Sequence, residues 1–210
     1  MTETFETLFG SNRVMVVLRG LPPQETVEIA HCLWDAKVEL LEVPIGSPDQ
    51  VAALRAAVAA GTERGRFVGA GTVITTEQVR AAATAGARYT VAPGLDLDVL
   101  TGSVAAGLPH LPGVATATEV QRAYTTGCRW VKVFPASTLG PNWFRAIRGP
   151  FPDMNLLATG GVTLDAASAY LDAGAQVVAF GAAATDPAQR DQLADLVQRT
   201  NATRRDQLPK

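Results

Sequence analysis

The stretch "TTEQVRAAATAGARYTVAPG", residues 75–94, contains one complete unit of the pattern that decides the fold. Thr75 or Thr76 precedes an alanine-rich segment and is a typical N-cap, because its hydroxyl accepts a hydrogen bond from a free backbone N–H. Gly86 follows that segment, in the position where a left-handed residue often ends a helix. The β-rich run "RYTVA" comes next and ends at a Pro-Gly step. The stretch therefore predicts a helix, a tight turn and a short strand.

Eight short apolar runs of this kind recur along the chain, at intervals of roughly 20 to 28 residues, with alanine-rich segments of helical period between them. They begin at residues 13, 38, 66, 88, 108, 129, 155 and 176. The runs are almost continuously apolar, which is typical of a parallel sheet covered by helices. The pattern predicts an α/β chain that forms a single (β/α)8 TIM barrel domain. We expect that domain to span residues 1–210, with an N-terminal helix at about 1–12 and a basic C-terminal tail at about 200–210.

A doubly wound open sheet is the alternative fold. It normally carries a glycine fingerprint after its first strand, where this chain has "RGLPPQE". The barrel is therefore the better prediction.

The composition excludes several classes of protein. With a formal net charge of -2, the chain has no basic footprint for nucleic acid or an anionic membrane surface. It has no apolar run of about 18 residues that predicts a membrane span, and its acidic start does not resemble a signal peptide. The two cysteines lack CxxC spacing, so we expect reduced, packed thiols in a cytoplasmic protein.

Lys132 interrupts the apolar run "RWVKVF" at residues 129–134. One interpretation is a lysine on the wet face of a half-buried strand, since lysines are rarely fully buried. The other is a reactive amine, held in apolar surroundings that disfavour its charged form.

Glu42 is equally isolated, between Leu41 and Val43 at the end of the second run. It is either a structural partner for Arg19 or Lys132, or an acid/base beside the amine in one barrel mouth. The sequence leaves both interpretations open.

Further polar and small residues follow the other strands, whose C-terminal ends carry the active site in barrels. They are Arg19, Thr72, Pro93, Thr159, Gly160, Gly161 and Gly181. The glycines after the last two strands predict an anion site made of backbone N–H groups beside helix starts. A tight turn requires glycines as well, and that alternative stays open.

Metal and cofactor chemistry is not expected. The chain has two histidines, His31 and His110, in neither HxH nor HExxH spacing. We therefore predict no metal site.

The fragments "LLEVPIGSP", "VGAGTV", "VAPG", "LPGVATATE", "KVFPAS" and "ATGGV" occur in an order and spacing that resemble one enzyme family. This family comprises the 2-keto-3-deoxy-6-phosphogluconate and 2-keto-3-deoxy-6-phosphogalactonate aldolases. The likeness covers nearly all of residues 12–185. It implies a (β/α)8 barrel, a homotrimer, and a class I, Schiff-base lyase without cofactor in carbohydrate metabolism of the Entner-Doudoroff type.

The resemblance also implies roles for single residues. Lys132 is expected to form the Schiff base, and Glu42 to move protons through a bound water. Arg19, Thr72 and Pro93 are expected at the pyruvyl end. The remaining predicted site residues are Thr159 for substrate binding and Gly160, Gly161 and Gly181 for phosphate binding. The products implied are pyruvate and glyceraldehyde 3-phosphate.

Three positions bear on the choice of substrate. Gly46 stands where the phosphogluconate branch has an arginine, whereas Thr159 is the residue of that branch. Ala182 stands where a phosphate-binding serine is expected. A smaller 4-hydroxy-2-oxo acid such as 4-hydroxy-2-oxoglutarate is therefore an alternative substrate, and a phosphate-binding barrel isomerase is an alternative function.

Overall fold

The computed structural model describes residues 4–181 and 186–205 as an alternation of strands and helices. The strands are β1 (Val14–Val17), β2 (Leu40–Pro44), β3 (Val68–Gly71), β4 (Thr90–Val91), β5 (His110–Leu111), β6 (Gly113–Val114), β7 (Trp130–Val133), β8 (Asn155–Ala158) and β9 (Ala175–Phe180). The helices are α1 (Phe5–Phe9), α2 (Pro23–Asp35), α3 (Pro48–Glu63), α4 (Thr76–Thr84), α5 (Leu97–Ala105), α6 (Ala117–Thr125), α7 (Ala136–Arg148), α8 (Ala167–Asp172) and α9 (Pro187–Arg205).

The strands form one parallel sheet in the order β5-β4-β3-β2-β1-β9-β8-β7-β6. The two ends of this order are adjacent in sequence and are separated only by Pro112, which has no N–H to donate. The predicted fifth strand is thus split in two. One half pairs with β4, and the other half pairs with β7. The sheet closes through this segment, so the predicted (β/α)8 TIM barrel is confirmed.

The unit at residues 75–94 folds as its sequence predicts. Thr75 is the N-cap of α4, and its side chain forms a reciprocal capping box with Gln78. Gly86 follows the helix with φ of 82° and leads the chain towards β4. The same box recurs at Thr116 and Glu119 before α6. In contrast, α8 begins at Ala167 and has no side-chain cap.

The barrel interior and its outer layer form two separate apolar clusters. Alternate strand residues such as Met15, Leu40 and Leu157 point inwards, and the intervening ones pack against the helices. Helix α1 closes the N-terminal end of the barrel. Its Phe5 and Phe9 stack against the rings of interior residues. The rings contacted are those of Tyr89 and Trp130.

The chain ends differ in detail from the sequence prediction. The N-terminal helix expected at about residues 1–12 is the shorter α1, and α9 continues to Arg205, within the segment expected to be a tail. Both cysteines are free, but Cys32 is exposed, so the prediction that it is packed was wrong. Within the described residues, no helix is long and apolar enough to cross a membrane.

His110 lies buried between the barrel and α5. Its Nδ1 is 2.8 Å from the Thr90 hydroxyl oxygen, which is 2.5 Å from the Ser103 hydroxyl oxygen. Burial lowers the pKa of His110 to about 4, and the nearby Asp96 opposes this only in part. The imidazole is therefore neutral in the folded protein at neutral pH.

This burial predicts a pH-dependent loss of stability. The folded-state pKa lies below the ordinary value of 6.5, so the unfolded chain binds more protons between the two values. The unfolding free energy should therefore fall as the pH drops from 6.5 to about 4, by on the order of 3 kcal/mol from this residue. Urea unfolding of the wild type and His110→Asn at pH 7 and pH 4 measures this, and the variant should lose less. Equal losses in both proteins would contradict it.

Candidate active site

A cleft of about 580 Å³ opens at the C-terminal ends of the strands. Eight of the nine site residues predicted from the sequence line it. These are Arg19, Thr72, Pro93, Lys132, Thr159, Gly160, Gly161 and Gly181. The ninth, Glu42, is buried in the barrel beneath them. The fold thus brings together residues that are widely separated in sequence.

Lys132 points into the barrel from β7, two residues beyond the interior Trp130. Only 4% of the residue is exposed, so the interpretation as a lysine on a wet strand face was wrong. Its Nζ lies 5.5 Å from the centre of the Phe134 ring, which covers it on the side of the mouth. A buried amine in an apolar wall is a suitable nucleophile for a carbonyl substrate.

Glu42 faces Lys132 from β2, on another side of the barrel. Its Oε1 is 3.9 Å from Nζ, and its side chain is 1% exposed. No atom of the described residues hydrogen-bonds this oxygen. The arrangement pairs two buried ionisable groups, and at the same time leaves one carboxylate oxygen available for proton transfer. The structural and the catalytic interpretations of Glu42 are therefore compatible.

Tyr89 lies deeper in the barrel than this pair. Burial raises the pKa of its phenol well above the ordinary value, and the nearby Glu42 charge adds to the effect. The hydroxyl therefore stays protonated and donates a hydrogen bond to the Leu41 carbonyl, at 2.8 Å. Tyr89 thus ties β4 to the backbone directly before Glu42.

Thr72 and Pro93 form one side of the cleft. Thr72 has φ of 57°, a left-handed conformation that is unfavourable for a β-branched residue. Such strain is concentrated at functional sites, where the surroundings hold the residue in place. The backbone of Pro93 lies directly against Gly113, and a Cβ on Gly113 would overlap it. The position of this wall is therefore fixed by close packing.

Gly160 and Gly161 have φ of 92° and 73°, so the turn after β8 requires glycine for its backbone. Space requires it as well, because a Cβ on Gly160 would lie 2.7 Å from the Phe134 ring. The tight-turn interpretation is thus confirmed for both residues. The expected helix start is not adjacent, since α8 begins at Ala167. Ala182, next to Gly181, lies outside the described residues.

Several residues that line the cleft are not among those predicted from the sequence. They are Val17, Phe134, Val162, Thr163 and Ala179. Phe134 is 37% exposed and follows Lys132 by two residues, so its position in the same apolar run was the available indication. Thr163 had no comparable indication, because it lies in the connection between β8 and α8, five residues after the strand ends. Within the described residues, no three His, Cys, Asp or Glu side chains cluster as metal ligands do.

The model of one protein family, "KDPG and KHG aldolase", matches residues 6–198. The chain belongs to this family. It is thus an aldolase, a carbon–carbon lyase, and the resemblance seen in the sequence is confirmed.

Curated relatives and solved structures of aldolases agree with this assignment. The chain is 34% identical over 169 residues to 2-dehydro-3-deoxy-6-phosphogalactonate aldolase of Escherichia coli K12, covering 80% of this chain and 82% of the relative. It is 34% identical over 172 residues to 2-dehydro-3-deoxy-phosphogluconate aldolase of Pseudomonas aeruginosa PAO1, covering 81% and 77%. A solved KDPG aldolase of Legionella pneumophila, with pyruvate captured as a covalent carbinolamine, superposes with a TM-score of 0.82 at 26% identity, covering 96% and 98%.

Proposed function

We propose that this aldolase cleaves a 2-keto-3-deoxy-6-phospho sugar acid, of the phosphogluconate or phosphogalactonate type. The products are pyruvate and glyceraldehyde 3-phosphate, and the reaction passes through a Schiff base on Lys132. The observation that carries the proposal is the buried Lys132–Glu42 pair, 3.9 Å apart at the base of the cleft. The names of the curated relatives support the substrate class, and the carbinolamine in the Legionella aldolase supports the covalent mechanism.

The chemistry follows from this pair. The neutral amine of Lys132 attacks the C2 ketone, and loss of water from the carbinolamine gives a protonated imine. Glu42, through a bound water, accepts the proton of the C4 hydroxyl while the C3–C4 bond breaks. The electron pair of that bond moves into the imine and forms an enamine, and the aldehyde leaves. Protonation at C3 and hydrolysis then release pyruvate and regenerate Lys132.

The rest of the cleft accounts for binding. Arg19 is a basic residue at the mouth, suited to the carboxylate of the pyruvyl end, with Thr72 and Pro93 beside it. Thr159 follows β8 directly and lines the cleft, and we assign its hydroxyl to a substrate hydroxyl near C4. The backbone N–H groups of Gly160, Gly161 and Gly181 are assigned to the phosphate. Of these glycines, Gly181 is the one at which an added Cβ would have no other atom within 4 Å.

A smaller substrate remains the second candidate. The family description includes KHG, the 4-hydroxy-2-oxo acid with five carbons, and Ala182 removes a hydroxyl from the expected phosphate site. The isomerase alternative has no such support, because the two curated relatives described above are aldolases. A cytoplasmic location and the absence of a nucleic-acid partner stay predictions.

Trapping with pyruvate and sodium borohydride tests the reaction. The wild type should gain one reduced pyruvyl adduct on Lys132, and Lys132→Arg, which keeps a cation beside Glu42, should gain none. Glu42→Gln should still form the adduct but cleave substrate about 10²–10⁴-fold more slowly, since it has lost a positioned acid/base. Mass spectrometry of the labelled peptide and stopped assays of pyruvate measure both. A wild type without an adduct would refute the proposed function.

The enzyme should cleave substrates of either configuration at C4, and it should cleave phosphorylated acids better than their dephosphorylated analogues. We expect cleavage of both six-carbon phosphorylated epimers with discrimination of about 1–3 kcal/mol, the scale of one polar contact from Thr159. The dephosphorylated acids should be poorer substrates, and Ala182→Ser should improve kcat/KM for the phosphorylated ones. The measurement is kcat/KM for both epimers, with and without phosphate, in the wild type and Ala182→Ser. Better cleavage of the dephosphorylated acids, with no effect of Ala182→Ser, would favour the smaller substrate.

We also propose that the protein is a homotrimer, as the family resemblance implies. Three large apolar side chains near α4 and α5 support an interface there, because each is about half exposed: Ile74, Leu97 and Val104. Sedimentation equilibrium should give about three times the chain mass of 22.0 kDa. Val104→Asp should lower this mass, whereas Ala59→Asp, at an exposed position of α3, should not. A wild-type mass of one chain would contradict the proposal.

A further inference from the structure

Strand β3 presents no side chain to the barrel interior at the level of the Lys132–Glu42 pair. Its sequence is Val-Gly-Ala-Gly, and the two glycines alternate with residues of the outer layer. A Cβ on Gly71 would lie 2.6 Å from Cδ and 2.7 Å from Cγ of Glu42, and closer still to its Oε1. The Glu42 carboxylate therefore occupies the space that any other residue at position 71 would fill.

The backbone of Gly71 does not itself require glycine. Its φ lies outside the left-handed region, in contrast to that of Gly160 or Gly161. Glycine inside a strand weakens it and often marks a close approach of another group. The approaching group here is Glu42, so the space beside it is the physical reason for glycine at this position.

Packing, rather than hydrogen bonding, holds the free oxygen of Glu42 in place. Its Oε1 has no hydrogen-bond partner among the described residues, and its distance of 3.9 Å from Lys132 Nζ is too long for a hydrogen bond. The direction of the carboxylate therefore depends on the walls around it. We propose that Gly71 is a positioning residue, which lets the Glu42 carboxylate point towards the amine because it places no side chain in the space that the carboxylate occupies. The inference rests on the proposed aldolase reaction.

Gly69 provides a matched control on the same strand and the same face. It makes room for the Tyr89 ring, and a Cβ there would lie 2.6 Å from Cδ2 of that ring. Tyr89 belongs to the interior apolar cluster. An added methyl group at Gly69 therefore disturbs the core, whereas the same group at Gly71 disturbs the acid/base.

The test begins with Gly71→Ala. The displaced carboxylate should lower kcat for cleavage by about 10–10³-fold with little change in KM, because small misplacements of a catalytic group cost this much. The pyruvate–borohydride adduct on Lys132 should still form, since the amine is not displaced. A folded Gly71→Ala protein with wild-type kcat would overturn the proposal.

A shorter acid should relieve the overlap. Aspartate at position 42 withdraws the carboxylate by one methylene. Adding Gly71→Ala to the Glu42→Asp variant should therefore lower its kcat by at most about 3-fold. Two residues in steric contact give such non-additive effects when both are changed. Glu42→Asp should not rescue Gly69→Ala in the same way. An equal loss from Gly71→Ala in both backgrounds would mean that the residue acts through the strand as a whole, and the proposal would fall.

A thermal measurement covers the case in which Gly71→Ala folds poorly. The loss in Tm caused by Gly71→Ala should largely disappear in a Glu42→Ala background, where the methyl group has room. The same loss in both backgrounds would overturn the contact between Gly71 and Glu42. This comparison of Tm values requires no enzymatic activity, so its result is independent of the proposed aldolase reaction. That reaction is refuted instead if the wild type forms no pyruvyl adduct.

Discussion

The site depends on two ionisable side chains, Lys132 and Glu42, facing each other inside an apolar barrel. A buried charge without a partner costs several kcal/mol, so each of these groups favours the presence of the other at this depth. Their strands, β7 and β2, are four steps apart in the sheet, with β1, β9 and β8 between them. Only a closed barrel lets side chains from such distant strands meet across its interior. Closure of the sheet is therefore required for the contact between Lys132 and Glu42, and does more than stabilise the fold.

Much of this arrangement could be predicted because it follows from local rules. Caps such as Thr75 and Gly86 fix where helices begin and end, and the strand spacing fixes the barrel. In a barrel, residues at strand ends share one mouth, which is why eight of the nine predicted residues line a single cleft. Glu42 and Lys132 were recognisable because each is one ionisable residue in an apolar strand. The distance between the two side chains could not be predicted, because it depends on side-chain packing.

The missed features depend on contacts between distant residues. Pro112 divides the closing strand because it lacks a donor, yet pairing continues on both sides of it. Cys32 lies on the exposed face of α2, although thiols are usually packed. Phe134 is a half-exposed aromatic residue, which alternation alone assigns to no face. The space above Gly71 is filled by a side chain from another strand, and no spacing rule within β3 reveals it.

The aromatic closure of the N-terminal end has a kinetic consequence. Phe5, Phe9 and Trp130 fill the end of the barrel below Lys132, and the Trp130 indole N–H also donates to Glu6 at 2.7 Å. Among the described residues, the cleft therefore opens only at the C-terminal ends of the strands, so substrate and products share one mouth. In the proposed reaction, the fragment attached to Lys132 lies at the deep end of the cleft and cannot pass the fragment nearer the mouth. A blind-ended cleft would therefore impose an order of departure on that reaction, with the aldehyde first and the keto acid last.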